Sequence, residues 1–243
     1  MIQFSDTTNK NGLIQLAEHY TGLGDAGISG NATILKQMTG LVNNWYGIVI
    51  SDILNADGRW EYDDTNHTDQ PTITTALVSG QQDYTLTVDD NSAQVLEITR
   101  VEVKDASGNW TLLSPIDQRD IPTAYTEHQD ATGVPNQFDV IGSTINLFPI
   151  PSYSQAASLK VYFKREGSYF TSNDTTKKPG FASPFHIILA MGAAYDWGVG
   201  KGKANISSLR QEIEQRRAEL IAFYSRRNKF EQPTMKAIRR SSR

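Results

Sequence analysis

Acidic and imidazole side chains crowd one short stretch, Asp63-Asp64-Thr65-Asn66-His67-Thr68-Asp69, which could offer oxygen and nitrogen ligands to a cation. The spacing fits neither a calcium loop, with its glycine and closing Glu, nor the paired histidines of a zinc helix. The stretch therefore reads as a solvated acidic loop, and no metal is expected. The four histidines are His19, His67, His128 and His186, and none stands in a nucleophile-elbow context. His186, between Phe185 and Ile187, reads as a packed or interface side chain rather than a general base. Glu61, Asp63, Asp64 and Asp130 could be paired as acid and base for glycan cleavage, but nothing in their spacing brings two of them together. Gly22-Leu23-Gly24-Asp25-Ala26-Gly27 fits a dinucleotide fingerprint in letters alone, because that fingerprint needs a preceding strand and the residues before it look helical. No constellation makes an enzyme, and no cofactor is expected.

Charge is distributed unevenly. Of 23 Lys and Arg and 27 Asp and Glu, 12 and 4 fall from residue 201 onward, a balance of +8; the 11 and 23 ahead of it leave −12. An acidic body with a basic end is a polarised molecule, suited to docking on an acidic surface. Phosphate binding and a solvated tail are the other readings of that end. In the basic arm, residues 229–243, the charges of Lys229, Lys236, Arg239, Arg240 and Arg243 alternate with apolar Phe230, Met235 and Ile238. Those anchors favour a docking arm.

The elements that must carry these groups follow from periodicity. Residues 1–12 are polar and are expected to form a flexible arm. A short helix from Leu13 to Tyr20 precedes the glycine cluster. Leu35, Met38, Val42, Trp45 or Tyr46, Val49 and Ile53 trace one apolar seam of a long helix that starts near Asn31 and stops by Asn55-Ala56-Asp57-Gly58. From residue 70 to 168 the period changes to two. About seven short strands are expected there, with hairpins at Ala106-Ser107-Gly108-Asn109 and at Gly142-Ser143. Ser168 to Pro179 reads as a linker. Helices return with Ser183 as N-cap and Pro184 in the first turn. Ala190, Gly192, Ala193 and Ala194 keep one side of that helix thin, so another helix can come close. The last helix runs from Asn205 or Ser208 to Arg227 on Ile206, Leu209, Ile213, Leu220 and Phe223, with Ser208 and Gln211 fitting a capping box. Phe185, Ala190, Ala193, Ala194, Trp197, Ile213, Leu220 and Phe223 are the expected packing residues between helices or between subunits.

Strands segregated from helices mean an α+β chain. The expectation is a helical bundle built from both ends of the sequence, with an inserted antiparallel β-sandwich or β-barrel. Residues 1–69 would supply the N-terminal arm and first bundle helices, 70–168 the β module, 169–228 the closing helices and 229–243 the arm. Cysteine is absent, which rules out disulfides and agrees with assembly in a reducing cytoplasm. Mean hydropathy is −0.44, no apolar run approaches the length of a bilayer span, and no signal peptide is read at the start.

Several stretches, in this order, resemble the head–tail connector (adaptor, head-completion or tubular) proteins of tailed bacteriophages. They are Trp45-Tyr46 in the long helix, Trp60-Glu61-Tyr62-Asp63-Asp64-Thr65-Asn66, Leu77-Val78-Ser79-Gly80 through Tyr84-Thr85-Leu86, and Leu113-Ser114-Pro115-Ile116-Asp117. Thr132-Gly133-Val134-Pro135-Asn136-Gln137-Phe138, Ile145 to Pro151 and Pro184 to Ala190 follow. The likeness spans roughly residues 30–228. It implies a structural virion protein without catalysis, assembled in the host bacterial cytoplasm and placed at the head–tail junction. The partners it implies are the portal protein, tail nozzle or tube proteins, and further copies of the chain in a ring, commonly of twelve. It also implies DNA passing through the lumen without sequence-specific binding, and no membrane. The alternatives are another tail component, of tail-tube or baseplate type, and an acidic-loop glycan hydrolase.

Overall fold

The structure is a computed structural model that describes residues 2–57, 66, 70–88, 93–116, 119, 121, 130–202 and 206–226. The fold is α+β, and it divides into two compact units. One comprises Met1–Trp60 and Tyr169–Arg243, the other Glu61–Ser168. Among the described residues no helix is long and apolar enough to cross a membrane.

The first unit holds the helices. Its N-terminal residues are not a flexible arm: Phe4 is fully buried and stacks on Phe170 at 4.9 Å. The Phe4 and Ser5 amides donate to the carbonyls of Lys177 and Thr175 at 2.7 and 3.0 Å. The polar composition of residues 1–12 hid one aromatic side chain with a large area to bury. Helix α1, Leu13–Thr21, ends at Gly22 in the left-handed conformation that favours glycine. The glycine cluster that follows is organised by Glu18, a buried carboxylate whose Oε1 accepts from the Ile28 and Ser29 amides and the Ser29 hydroxyl at 2.7–3.0 Å.

Helix α2, Ala32–Ala56, is capped by Asn31, whose side chain accepts from the Thr33 and Ile34 amides. Its seam buries Met38, Val42, Trp45, Tyr46, Val49 and Ile53, so both candidates at the middle of the seam are interior. The linker beyond residue 168 is packed as well. Asn43 donates to the Phe170 carbonyl and accepts from its amide, both at 2.9 Å.

A 3-10 turn, Ser183–Phe185, leads into helix α3, Ile187–Gly200. Pro184 falls in the first turn as expected, but Ser183 is not the cap: Ala182 holds that position without a side-chain bond. Helix α4 spans Ile206–Tyr224. Ser208 thus lies inside its first turn, and no capping box with Gln211 begins the helix. Helix α3 packs against α1, α2 and α4 and is apolar nearly all round. Ile188, Leu189, Ala190, Met191 and Ala193 are wholly buried.

The second unit carries the strands. They are β1 (Thr72–Leu77), β2 (Asp83–Thr85), β3 (Val95–Lys104), β4 (Trp110–Leu112), β5 (Ser114–Pro115), β6 (Thr132–Gly133), β7 (Gln137–Ile141), β8 (Thr144–Phe148), β9 (Ile150–Pro151) and β10 (Gln155–Arg165). One sheet has the order β1-β10-β3-β4, all antiparallel. A second runs β2-β8-β7-β5, with β5 parallel to β7, and β6 pairs with β9 in parallel. Both expected hairpins are present, turning at Gly108 and Gly142 with φ of 87° and 64°. Val101, Val103, Leu159, Val161 and Phe163 of the first sheet join Tyr84, Phe138, Ile145 and Leu147 of the second in one apolar core. The outer residues of each strand therefore point away from that core, by the two-residue alternation of the pleat.

Candidate interaction surfaces

Helix α3 is thin where the sequence is thin, and what fills the space is α2. A Cβ on Gly192 would overlap the Trp45 indole ring, so glycine is required for this approach. The indole Nε1–H donates to Asp196 Oδ2 at 2.8 Å, which satisfies the polar end of a mostly buried ring. Helices α2 and α4 are tied by Arg217, whose Nε and Nη2 donate to the two Asp52 oxygens at 2.8 and 3.1 Å. The Asp52 hydrogen bonds hold the guanidinium pKa above its ordinary value. At the end of α4 the Tyr224 hydroxyl accepts from the Ala182 amide at 2.9 Å.

The expected packing residues divide into two groups. Phe185, Ala190, Ala193, Ala194, Ile213 and Leu220 are buried within the helical unit. Trp197 is half-buried under Lys201, whose Nζ lies 5.1 Å from its ring centroid. Phe223 is 50% exposed, its ring 5.6 Å from that of Phe185. An open hollow of about 510 Å³ is lined there by Phe185, Glu219, Ala222, Phe223 and Arg226. An apolar ring left half in water next to charged neighbours has the composition of an interface patch. The arm residues Lys229, Phe230, Met235, Lys236, Ile238, Arg239, Arg240 and Arg243 lie outside the described residues.

His186 is fully buried, with Nε2 2.8 Å from the Phe181 carbonyl and Nδ1 3.2 Å from that of Ile2. Burial pushes its pKa below the ordinary histidine value. A neutral ring has one N–H, and the shorter contact assigns it to Nε2. Its ring meets Phe181 edge-on at 5.0 Å, so the side chain is a packing element of the turn before α3. His19 is exposed on α1, and Asp130 is exposed. Glu61, Asp63, Asp64, His67 and His128 lie outside the described residues. Among the described residues no three His, Asp or Glu side chains gather as metal ligands.

Sequence reasoning missed the Arg217–Asp52 pair and the Glu18 anchor. Asp52 gave one faint signal: it stands beside the apolar seam of α2, where a carboxylate needs a partner. Glu18 gave none.

No curated protein matches the chain. The model of one protein family, described as SU10 adaptor protein, matches residues 37–234. That match runs through α2, the strands, α3 and α4, well over half of the sequence, and it agrees with the resemblance read from the motifs. The chain belongs to the SU10 adaptor protein family, a family of phage head–tail adaptors.

Proposed function

We propose that this phage adaptor is a structural protein that forms a ring between portal and tail and surrounds the DNA path. The observation that carries the proposal is the family match across residues 37–234, which takes in both units rather than one borrowed module. In this reading the helices of the two chain ends form a bundle that makes the ring wall. The strands form a β-sandwich or β-barrel module, residues 70–168, that meets tail proteins or neighbouring copies. The exposed Phe223 supports a subunit contact at the wall, since a half-exposed aromatic ring gains nothing from water. Residues 229–243 are the portal-docking arm, with Phe230, Met235 and Ile238 as anchors and the Lys and Arg as charge partners for an acidic surface. The ring holds about twelve copies, works without catalysis or cofactor, and belongs to the virion after assembly in the host cytoplasm.

Mass photometry of the full chain mixed with its portal tests this. The reading predicts one discrete species with the mass of the portal plus a complete ring of adaptors. A chain that stays monomeric beside the portal overturns it.

A further inference from the structure

The outer face of the β1-β10-β3-β4 sheet carries an arrangement that the fold of the unit does not use. Trp110 on β4 is 39% exposed, and two ammonium groups converge on its ring: Lys104 Nζ at 4.8 Å and Lys160 Nζ at 4.6 Å from the centroid. Lys104 is the direct cross-strand partner of Trp110, and Lys160 reaches in from β10. Leu112, next on the same face, is 54% exposed. The other charges there are matched, Arg100 with Glu102 and Lys164 with Glu97. No carboxylate among the described residues stands within ion-pair distance of Lys104 or Lys160. Two unpaired cations over one aromatic ring, beside an exposed leucine, form a surface that accepts a carboxylate and an apolar side chain together.

The outer face of the other sheet offers that complement. Asp83 on β2, Asn146 on β8 and Asp139 on β7 stand in one row across three strands. The next row is Thr85, Thr144 and Ile141, with Ile141 49% exposed. Asp83 is exposed and has no cation beside it among the described residues. One face of the β unit thus presents two lysines with exposed Trp110 and Leu112, and the opposite face presents the exposed Asp83 carboxylate with exposed Ile141. Two different, complementary patches on one chain are what a head-to-tail contact requires, and such a contact closes into a ring when its rotation allows.

We infer that the Trp110–Lys104–Lys160 face docks on the Asp83–Ile141 face of a second copy of this chain. The exposed Leu112 favours a protein surface over nucleic acid, since phosphate recognition has no use for an aliphatic side chain. The inference deepens the ring reading and rests on it, by naming the faces through which neighbours meet.

Charge reversal in the full chain tests it, read by sedimentation velocity with and without portal. Lys104→Glu with Lys160→Glu, and separately Asp83→Lys, should each weaken assembly by about tenfold or more in concentration. The triple variant, with both faces reversed in every copy, should assemble again. Trp110→Ala should weaken assembly without reversing any charge, and circular dichroism checks that each variant is folded. If the single-face variants assemble like the parent chain, this inference falls while the ring reading stands. If the parent chain is monomeric even with portal, both fall. If the lysine variant loses affinity for single-stranded DNA but assembles normally, the face belongs to nucleic acid and the inference is wrong.

Discussion

At the scale of single residues, the account turns on side chains whose neighbours leave them no choice. Gly192 is one. The sequence showed a thin stretch at Ala190, Gly192, Ala193 and Ala194, and that was enough to expect a close helix. It could not show that the close partner is the Trp45 ring, because that contact joins residues 147 positions apart. Gly192→Ala should cost about 1–3 kcal/mol, or more if the indole cannot shift, measured by urea unfolding. An unchanged midpoint would mean the helices slide apart without penalty.

His186 makes a second residue-scale prediction. Its pKa is depressed in the folded chain by burial, so the unfolded chain binds the extra proton first as pH falls. The stability that neutral His186 supports is fully present above the unfolded value of about 6.5 and declines as pH drops from there through the lower folded value. A His186→Gln variant should be less stable at neutral pH and lose part of that decline. Parallel pH profiles for parent and variant would contradict the assignment. The packing role was legible from the apolar residues either side. The two carbonyls were not, because Ile2 lies at the far end of the sequence.

At the scale of elements, local pattern and local chemistry went far. The helix from Asn31, the two glycine hairpins and the strands at β7 and β8 follow from capping, turn residues and alternation. The two-residue strands β5, β6 and β9 do not, since pairings so short, both of them parallel, are set by their neighbours in space and leave no periodicity. The serine caps at Ser183 and Ser208 were misread for a related reason, although the alternative start at Asn205 stands one residue ahead of the helix that begins at Ile206. A cap is a conformation, and a serine with the right letters nearby does not guarantee it. For the arm, deletion of residues 229–243 should leave the fold and its unfolding midpoint intact but weaken portal attachment. Pull-down on immobilised portal reads this, and undiminished binding would remove the docking role.

At the scale of the whole molecule, the charge division of −12 ahead of residue 201 and +8 after it describes a chain with two different ends to its chemistry. An acidic body around a DNA path would let the polyanion slide without adhering, and a basic end would hold an acidic partner. The α+β class was legible because strands and helices are segregated along the chain, and the family was legible because its motifs keep their order. Which outer surfaces meet neighbours was not, since Trp110, Lys104 and Lys160 become one patch only when β3, β4 and β10 pair. The most direct measurement of the central claim is a map of the intact virion with this chain placed in its density. The account predicts a closed ring of the chain seated between the portal and the first tail proteins. Density for it along the tail tube or in the baseplate, with none at the portal, would contradict it.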